Sequence, residues 1–254
     1  MDPSDTTGPG VKSAMRTVAL LDFFARQGGM YSLTAIQQEL GYPKSSLYAL
    51  LRTLVQLGWV ETDPTGTLYR IGMRALLVGA SYIDGDPVVG MAHETLEWLA
   101  EATGETVHFG RLDGLDVVDL SSRPSRHNLR PVVRVGRRMP AHSTSLGKAL
   151  LSDRPSLDLP GELERQTERT LTDPVALAED LGHVRERGYA IDREENSTGV
   201  CCFGVVLRLQ RPARDAISVS IPVTRLTDAG EREIPALLMR ARERIEYSTH
   251  HLLH

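Results

Sequence analysis

The segment from His142 to Leu151, HSTSLGKALL, concentrates hydroxyl, imidazole and amino groups within ten residues. Its Gly-Lys pair is similar to that of a phosphate-binding P-loop. That motif also requires a glycine five residues before Gly147 and Ser or Thr after the lysine, where this chain has His142 and Ala149. The adjacent histidine and serine lack a G-x-S-x-G nucleophile elbow. Without an assembled nucleophile, base and oxyanion donors, the segment predicts no catalysis.

The same segment suits the binding of an anion instead. A helix is predicted from Ser143 to Leu151, and it begins in small polar residues. The first N–H groups of a helix have no intrahelical acceptor, and together with the helix dipole they attract carboxylates and similar anions. We therefore expect a binding site at the start of this helix.

Two further groups could carry chemistry. Cys201 and Cys202 are adjacent, which leaves a redox-sensing role open, although their apolar strand context favours buried, unreactive thiols. His250 and His254 stand four residues apart, but no carboxylate or cysteine lies close enough in sequence to complete a metal site. No metal or other cofactor is predicted.

A second stretch, YPKSSLYALLRTL from Tyr42 to Leu54, predicts an amphipathic helix whose leucines recur at helical spacing on one face. Pro43 suits the entry of such a helix. The outward face carries side chains that can hydrogen-bond to base edges or phosphates. The candidate DNA contacts are Lys44, Ser45, Ser46, Tyr48 and Arg52, with Arg70 on a later strand. Taken alone, this face is more typical of an ordinary solvated helix face.

The elements around this helix favour DNA binding. A first helix is expected from Lys12 to Gln27, with a buried stripe of Val18, Leu21, Phe24 and Ala25. Ser32 is predicted to cap a short second helix, which Gly41 ends. After the third helix, the turn sequence DPTG separates two strand-like runs. Three helices followed by a hairpin form a winged helix-turn-helix, in which the third helix enters the major groove.

Residues 73–103 are predicted to form two helices broken near DGDP, and the domain boundary is placed there. Beyond it, mixed strands and helices predict an α+β sheet domain. The expected elements are a hairpin turning at Asp113-Gly114, strands at PVVRV (131–135), CCFGVVLRL and DAISVSIPV, and helices at Pro174–Arg187 and from Arg232 to about His251. The predicted organisation is a disordered lead (1–11), a winged helix-turn-helix domain (12–75), a linker helix region (76–90) and a second domain (91–254).

Composition limits the function classes. With 41% hydrophobic and 24% charged residues, the chain resembles an ordinary globular protein. It has no apolar run near the ~18 residues of a membrane span, no signal peptide and no disulfide framework, so we expect a cytoplasmic protein that does not bind membranes. Its net charge of −4 lacks a basic excess, so DNA binding would depend on a few well-placed groups.

Three separated motifs give the chain a family resemblance. The run from SAMRTVALLDFFARQ through LTAIQQELGYPKSSLYALLRTLVQLGWVE resembles the DNA-binding domain of IclR-family bacterial transcription regulators. MPAHSTSLGKALL and RERGYAIDREENSTGVCCFGVVL with AISVSIPV resemble that family's effector-binding domain. The resemblance implies a GAF-like C-terminal α/β domain. It also implies a homodimer or homotetramer on a near-palindromic double-stranded DNA operator. Ala49 replaces an arginine often found in the family, so Arg52 or Tyr48 is expected to take over that contact, or the operator differs.

The resemblance also implies an effector site for a small organic acid or a sugar-derived metabolite. The effector-binding residues it implies are Ser145 and Leu146 through their backbone amides, and Asp192, Cys202, Ser218 and Ser220 through polar contacts. The bulk at 145 and 146 exceeds that of the small pair in some members, which is expected to shrink or redirect the pocket. From composition alone, each residue also suits an ordinary structural role, as Cys202 does as a small buried hydrophobe.

The sequence therefore predicts a DNA-binding repressor, not an enzyme, controlled by a metabolite in its second domain. Three alternatives stay open: a redox-responsive regulator that uses Cys201 and Cys202, a metabolite-binding enzyme, and a protein-interaction module built on the winged helix.

Overall fold

The computed structural model describes residues 10–131, 134–154, 156 and 158–249, which divide into two compact units between Gly85 and Asp86. Most of the predicted lead, the centre of the predicted PVVRV strand and the two C-terminal histidines considered above lie outside the described residues. The division falls within the predicted linker region. Across the described ranges, no helix combines the length and apolar character needed to cross a bilayer.

The first unit is a winged helix-turn-helix. Its elements are α1 (Lys12–Gln27), β1 (Tyr31–Ser32), α2 (Leu33–Leu40), α3 (Lys44–Gln56), β2 (Val60–Thr62), β3 (Leu68–Ile71) and α4 (Met73–Asp84). The three strands form an antiparallel sheet in the order β1-β3-β2. The core of the helices and sheet includes Leu20, Phe24, Ile36, Leu47 and Leu51.

Local signals place the helix-turn-helix. The Ser32 hydroxyl accepts a hydrogen bond from the Ala35 N–H at 3.2 Å, which caps α2. Gly41 ends the helix in the left-handed conformation, with φ of 66°, which glycine adopts without steric cost. Helix α3 begins three residues later, at Lys44, and the Arg16 guanidinium lies over the Tyr42 ring in this short connection. The turn geometry predicted from Ser32 and Gly41 is confirmed.

The predicted buried stripe of α1 is wrong in part. Leu20, Phe23 and Phe24 are buried, whereas Val18 is 57% exposed and Ala25 is also exposed. Helical spacing alone could not choose the face, since two overlapping apolar stripes run along this helix. The face that packs is the one whose Phe23 ring makes an edge contact with Tyr31 of β1, a two-residue strand that the sequence did not predict.

The second unit is a six-stranded antiparallel sheet in the order β6-β5-β4-β9-β8-β7, with helices packed against it. Its elements are α5 (Pro87–Thr103), β4 (Thr106–Asp113), β5 (Asp116–Arg123), β6 (Arg138–Pro140), α6 (Ser145–Ser152), α7 (Pro174–Arg187), β7 (Ala190–Arg193), β8 (Val200–Leu207), β9 (Asp215–Pro222) and α8 (Asp228–Thr249). This arrangement agrees with the predicted α+β class.

Two glycines bring the start of α6 down onto the sheet. A β-carbon at Gly204 of β8 would lie 2.6 Å from the Ser145 carbonyl oxygen, and one at Gly147 would lie 2.1 Å from the Ala141 oxygen. Neither position can accept a side chain without a backbone shift. From there α6 packs with α7 against the sheet through an apolar core that includes Leu150 and Leu181.

Several details of this unit differ from the prediction. Helix α8 begins at Asp228, four residues before the predicted Arg232. Asp113 pairs with Asp116, so the two-residue turn is Gly114-Leu115, and the φ of 64° at Gly114 shows why glycine stands there. Helix α6 begins at Ser145 after a 3₁₀ turn, two residues later than expected. The short strands β6 and β7 were not predicted, because three or four residues form a strand only where a neighbouring strand pairs with them.

Candidate functional site

The outward face of α3 is exposed as the sequence predicted. Leu47, Leu51 and Leu54 are buried, and burial of each leucine contributes about 1.5–3 kcal/mol to the unit's stability. The opposite side presents polar groups to solvent, with Tyr48 51% exposed. The exposed candidates are Lys44, Ser45, Tyr48 and Arg52. They form one surface, which we call the α3 surface.

The other two candidate DNA contacts, Ser46 and Arg70, already interact with side chains of the protein. Ser46 is half-buried, and its hydroxyl accepts a hydrogen bond from Arg16 Nη1 at 3.2 Å. Arg70, on β3, forms an ion pair with its cross-strand neighbour Glu61, with 2.9 Å between Nη2 and Oε2. The acidic partner offsets the charge that the β2–β3 hairpin could offer to phosphate.

A cavity opens in the second unit between the sheet and the N-terminus of α6. Its volume is about 60 Å³. All six predicted effector-binding residues lie on its wall. The lining includes His108, Asp119, Arg137, Met139, Thr144, Ser145, Leu146, Asp192, Asn196, Cys202, Ser218 and Ser220. We call this space the effector cavity.

Strand register explains why residues far apart in sequence meet on the cavity floor. Asp192 of β7 pairs with Cys202 of β8, which pairs with Ser220 of β9. In the next row of this face, Ser218 of β9 pairs with His108 of β4. Because alternate residues of a strand share one face, these two rows form a continuous polar floor.

The N-terminus of α6 supplies backbone donors to the cavity wall. Thr144 caps the helix, and its hydroxyl accepts the Gly147 N–H at 3.0 Å. The N–H groups at the very start of a helix have no acceptor within it, and those of Ser145 and Leu146 belong to this set. With the positive end of the helix dipole, they form a site suited to a carboxylate.

Asp192 is a buried acid in the cavity wall. One of its carboxylate oxygens accepts the backbone N–H of Glu195 at 2.7 Å and that of Asn196 at 3.3 Å. Burial, followed by repulsion from the Glu195 carboxylate, raises the pKa of Asp192 to about 7. At neutral pH this side chain is therefore close to half-protonated and can donate as well as accept a hydrogen bond.

The lysine of the P-loop-like segment is occupied inside the protein. Lys148 is 1% exposed, and its Nζ lies 2.6 Å from Glu195 Oε1 and 2.8 Å from Asp180 Oδ2. It therefore pairs with internal carboxylates and is not presented to a phosphate. The ion pairs join α6, α7 and the residues after β7 behind Asp192.

His108 and Asp119 are cavity residues that sequence reasoning missed. His108 Nδ1 lies 3.0 Å from the Ser122 hydroxyl and 3.5 Å from Asp119 Oδ2. A Ser-His-Asp triad needs the serine and the aspartate on opposite ring nitrogens, but here both approach Nδ1. The three residues therefore do not form a hydrolytic triad. Their proximity follows from the β4–β5 hairpin, which the sequence predicted, but the register shift between Phe109 and Gly110 that sets their final positions was not predicted.

The adjacent cysteines point to opposite faces of β8. Cys202 lies in the cavity wall, with its sulfur 3.1 Å from the Ser220 hydroxyl, and Cys201 is buried beneath the other face. Burial raises the pKa of Cys201 to about 12 and also raises the pKa of Cys202. Both thiols are thus held in the protonated, poorly nucleophilic form.

A helix-turn-helix with an exposed α3 surface, joined in one chain to a domain with a polar cavity, defines a ligand-responsive transcription regulator. Comparison with known proteins agrees with this class. Residues 13–64 match the family described as the IclR helix-turn-helix domain. Residues 80–247 match the family described as the bacterial transcriptional regulator IclR C-terminal domain. The chain belongs to the IclR family of bacterial transcriptional regulators.

Individual relatives extend over most of the chain. The HTH-type transcriptional regulator BhcR of Paracoccus denitrificans is 36% identical over 87% of this chain and 81% of its own length. The transcriptional repressor IclR of Escherichia coli is 32% identical, over 96% and 93% respectively. A solved IclR homologue from Microbacterium hydrocarbonoxydans, complexed with 4-hydroxybenzoate, has a TM-score of 0.75 over 93% of this chain and 98% of its own. At 21% identity it shows a shared fold.

Proposed function

We propose that this protein is a cytoplasmic repressor that binds an operator through the α3 surface and changes its operator affinity when a small organic acid enters the effector cavity. The observation that carries the proposal is the meeting of six separately predicted residues, from α6, β7, β8 and β9, on one cavity wall. Repression is supported by similarity to the transcriptional repressor IclR of Escherichia coli, which aligns along nearly the whole chain.

The cavity supports an acid as the ligand class. Backbone donors at the start of α6 suit a carboxylate, and the Asp192–Cys202–Ser220 row supplies hydrogen-bonding groups on the floor. A cavity of about 60 Å³ leaves no room for a polymer, so the ligand is a small molecule. A sugar acid satisfies the same chemistry, because its hydroxyl groups can bond to the polar floor.

Regulation then follows from linkage. The effector changes operator affinity only if it binds the DNA-competent conformation and the alternative conformation with different affinities. By linkage, operator binding must then change the protein's affinity for the effector by the same factor. A homodimer or homotetramer would present two α3 surfaces to a near-palindromic operator.

The test begins with DNA fragments that the protein retains from its own genome at ~150 mM salt. Fluorescence anisotropy on one fragment would be measured with and without a panel of carboxylic acids. The proposal predicts that at least one acid changes operator affinity about fivefold or more. Asp192→Ala should remove that response while sparing operator binding in the absence of acid. If a well-folded Asp192→Ala protein loses operator binding even without acid, the assignment of DNA binding to the α3 surface and effector binding to the cavity is wrong.

The enzyme and redox alternatives gain no support from the site. The relatives above are regulators, and the Ser122–His108–Asp119 group lacks the order that acyl transfer requires. The two cysteines lie on opposite faces of one strand, which places their side chains badly for a disulfide.

A further inference from the structure

The far end of the effector cavity contains an unsatisfied acid. Asp119 is 1% exposed, lines the cavity and lies on β5. Within the described part of the chain, its Oδ1 atom has no hydrogen-bond partner, whereas Oδ2 approaches His108 Nδ1 at 3.5 Å. A buried oxygen without a donor carries an uncompensated desolvation cost, larger if it is charged, so a ligand that supplies a donor there gains affinity.

The neighbours of Asp119 hold it in place. Its own N–H donates to the Arg137 carbonyl at 2.9 Å, and its carbonyl accepts from Gly136 at 2.7 Å. His108 is fixed in turn by the Ser122 hydroxyl, 3.0 Å from Nδ1. The acceptor is therefore preorganised, which lowers the entropic cost of ligand binding.

Asp119 lies far from Asp192 across the sheet and close to the Leu146 side chain of α6. From β7 to β5 the sheet passes through β8, β9 and β4, so four strand spacings separate the two acids across the sheet. A four-residue offset, from Thr106 to Gly110 on β4, separates them along the strands as well. The Leu146 side chain reaches over Gly110, where an added β-carbon would lie 2.9 Å from its Cδ1. Gly110 is the cross-strand partner of Asp119. The start of α6 and Asp119 therefore border the same part of the cavity.

We propose that Asp119, positioned by His108, is a specificity-determining residue that accepts a hydrogen bond from a hydroxyl group of the effector. The effector is then a hydroxy acid, with its carboxylate at the start of α6 and its hydroxyl at Asp119. This assignment rests on the proposed function and adds the substrate class to it. An acid without the hydroxyl would leave the Asp119 oxygen buried and unpaired, which makes the site selective.

The test is isothermal calorimetry of the full chain with matched pairs of acids: 4-hydroxybenzoate against 4-methylbenzoate, and 6-hydroxyhexanoate against hexanoate. The expected result is that the hydroxylated member of at least one pair binds about 10- to 100-fold more tightly, the range of one hydrogen bond to a charged acceptor. Asp119→Asn should reduce this preference at least about fivefold, while Asp116→Asn, on the same strand outside the cavity lining, should keep it.

The outcomes separate this assignment from the proposed function. Equal binding within both pairs, or a hydroxyl preference that persists in a folded Asp119→Asn protein, overturns the role of Asp119 and leaves the organic-acid cavity standing. Failure of all four acids to bind or to change operator affinity overturns the assignment, and if the wider acid panel also has no effect, the proposed function falls as well. Circular dichroism of each variant establishes that the fold is retained.

Discussion

The ammonium group of Lys148 lies 2.6 Å from a carboxylate oxygen of Glu195, and both side chains are buried behind the effector cavity. Asp180 completes the cluster at 2.8 Å from the same nitrogen. Glu195 also donates its backbone N–H to Asp192, so the ion pair and the cavity acid share one short segment after β7. The stability of the fold and the shape of the cavity are therefore coupled at this position.

Lys148→Met should destabilise the protein strongly. The methionine keeps most of the side-chain volume but leaves the buried Glu195 carboxylate and the partly exposed Asp180 carboxylate without their shared cation, which costs about 3–5 kcal/mol. Urea denaturation would measure the change in the free energy of unfolding. Arg138→Met is the matched control, since Arg138 pairs with Asp113 and Asp116 at the surface and its loss should cost less than about 1 kcal/mol. Equal losses in the two variants would contradict the buried ion-pair assignment.

Asp192 should make stability depend on pH. Its folded pKa of about 7 lies above the ordinary aspartate value, so its neutral form favours the folded state. That contribution is complete below about pH 4 and is lost as the pH rises through 7, by as much as about 4 kcal/mol. Urea denaturation of the wild type and Asp192→Asn between pH 4.5 and 8 would show it. The wild type should lose stability relative to the variant as pH rises, and parallel curves would count against the shifted pKa.

Arg52→Ala should weaken operator binding. Arg52 is an exposed cation on the α3 surface, and loss of a base-edge or phosphate contact typically costs about 1–3 kcal/mol, or roughly 5- to 150-fold in affinity. Fluorescence anisotropy at ~150 mM salt is the measurement. Arg26→Ala removes an exposed arginine of α1 outside the α3 surface and should change affinity little. If the two variants behave alike, the α3 surface is not the DNA contact.

The thiols should resist modification in the folded protein. Cys201 is buried, Cys202 is hydrogen-bonded to Ser220, and burial raises the pKa of both. Ellman's reagent should therefore react about 100-fold more slowly with the native protein than with the urea-unfolded protein. Cys201→Ser and Cys202→Ala proteins should retain operator binding after peroxide treatment, as the wild type does. Rapid labelling with loss of DNA binding would instead support redox control.

The parts predicted best from sequence are those with local causes. Ser32 and Gly41 determine both ends of α2 through a cap and a left-handed residue, and Pro174 and Gly188 do the same for α7, so these boundaries were predicted to the residue. Family resemblance named six cavity residues that the structure brings together, although no composition or spacing within the chain would have selected them.

The parts that sequence missed depend on distant partners. The two-residue strand at Tyr31 exists because it pairs with Tyr69, and its buried neighbours decide which stripe of α1 faces the core. In the sequence, His108 and Asp119 resemble ordinary polar residues of two strands in which polar and apolar residues alternate. Only the register of β4 and β5 places them on one cavity wall, and a one-residue slip would send them to the other face.

The measurement that tests the central claim most directly is selection of genomic DNA. The purified protein and its Arg52→Ala variant would be mixed separately with fragmented DNA from the same genome at ~150 mM salt, where purely phosphate-driven binding is weak. Retained fragments would then be sequenced with and without the acid panel. The account predicts a few fragments that share an inverted repeat, retained by the wild type, lost with Arg52→Ala and altered by at least one acid. Uniform or absent retention by the wild type, with and without every acid, would contradict it.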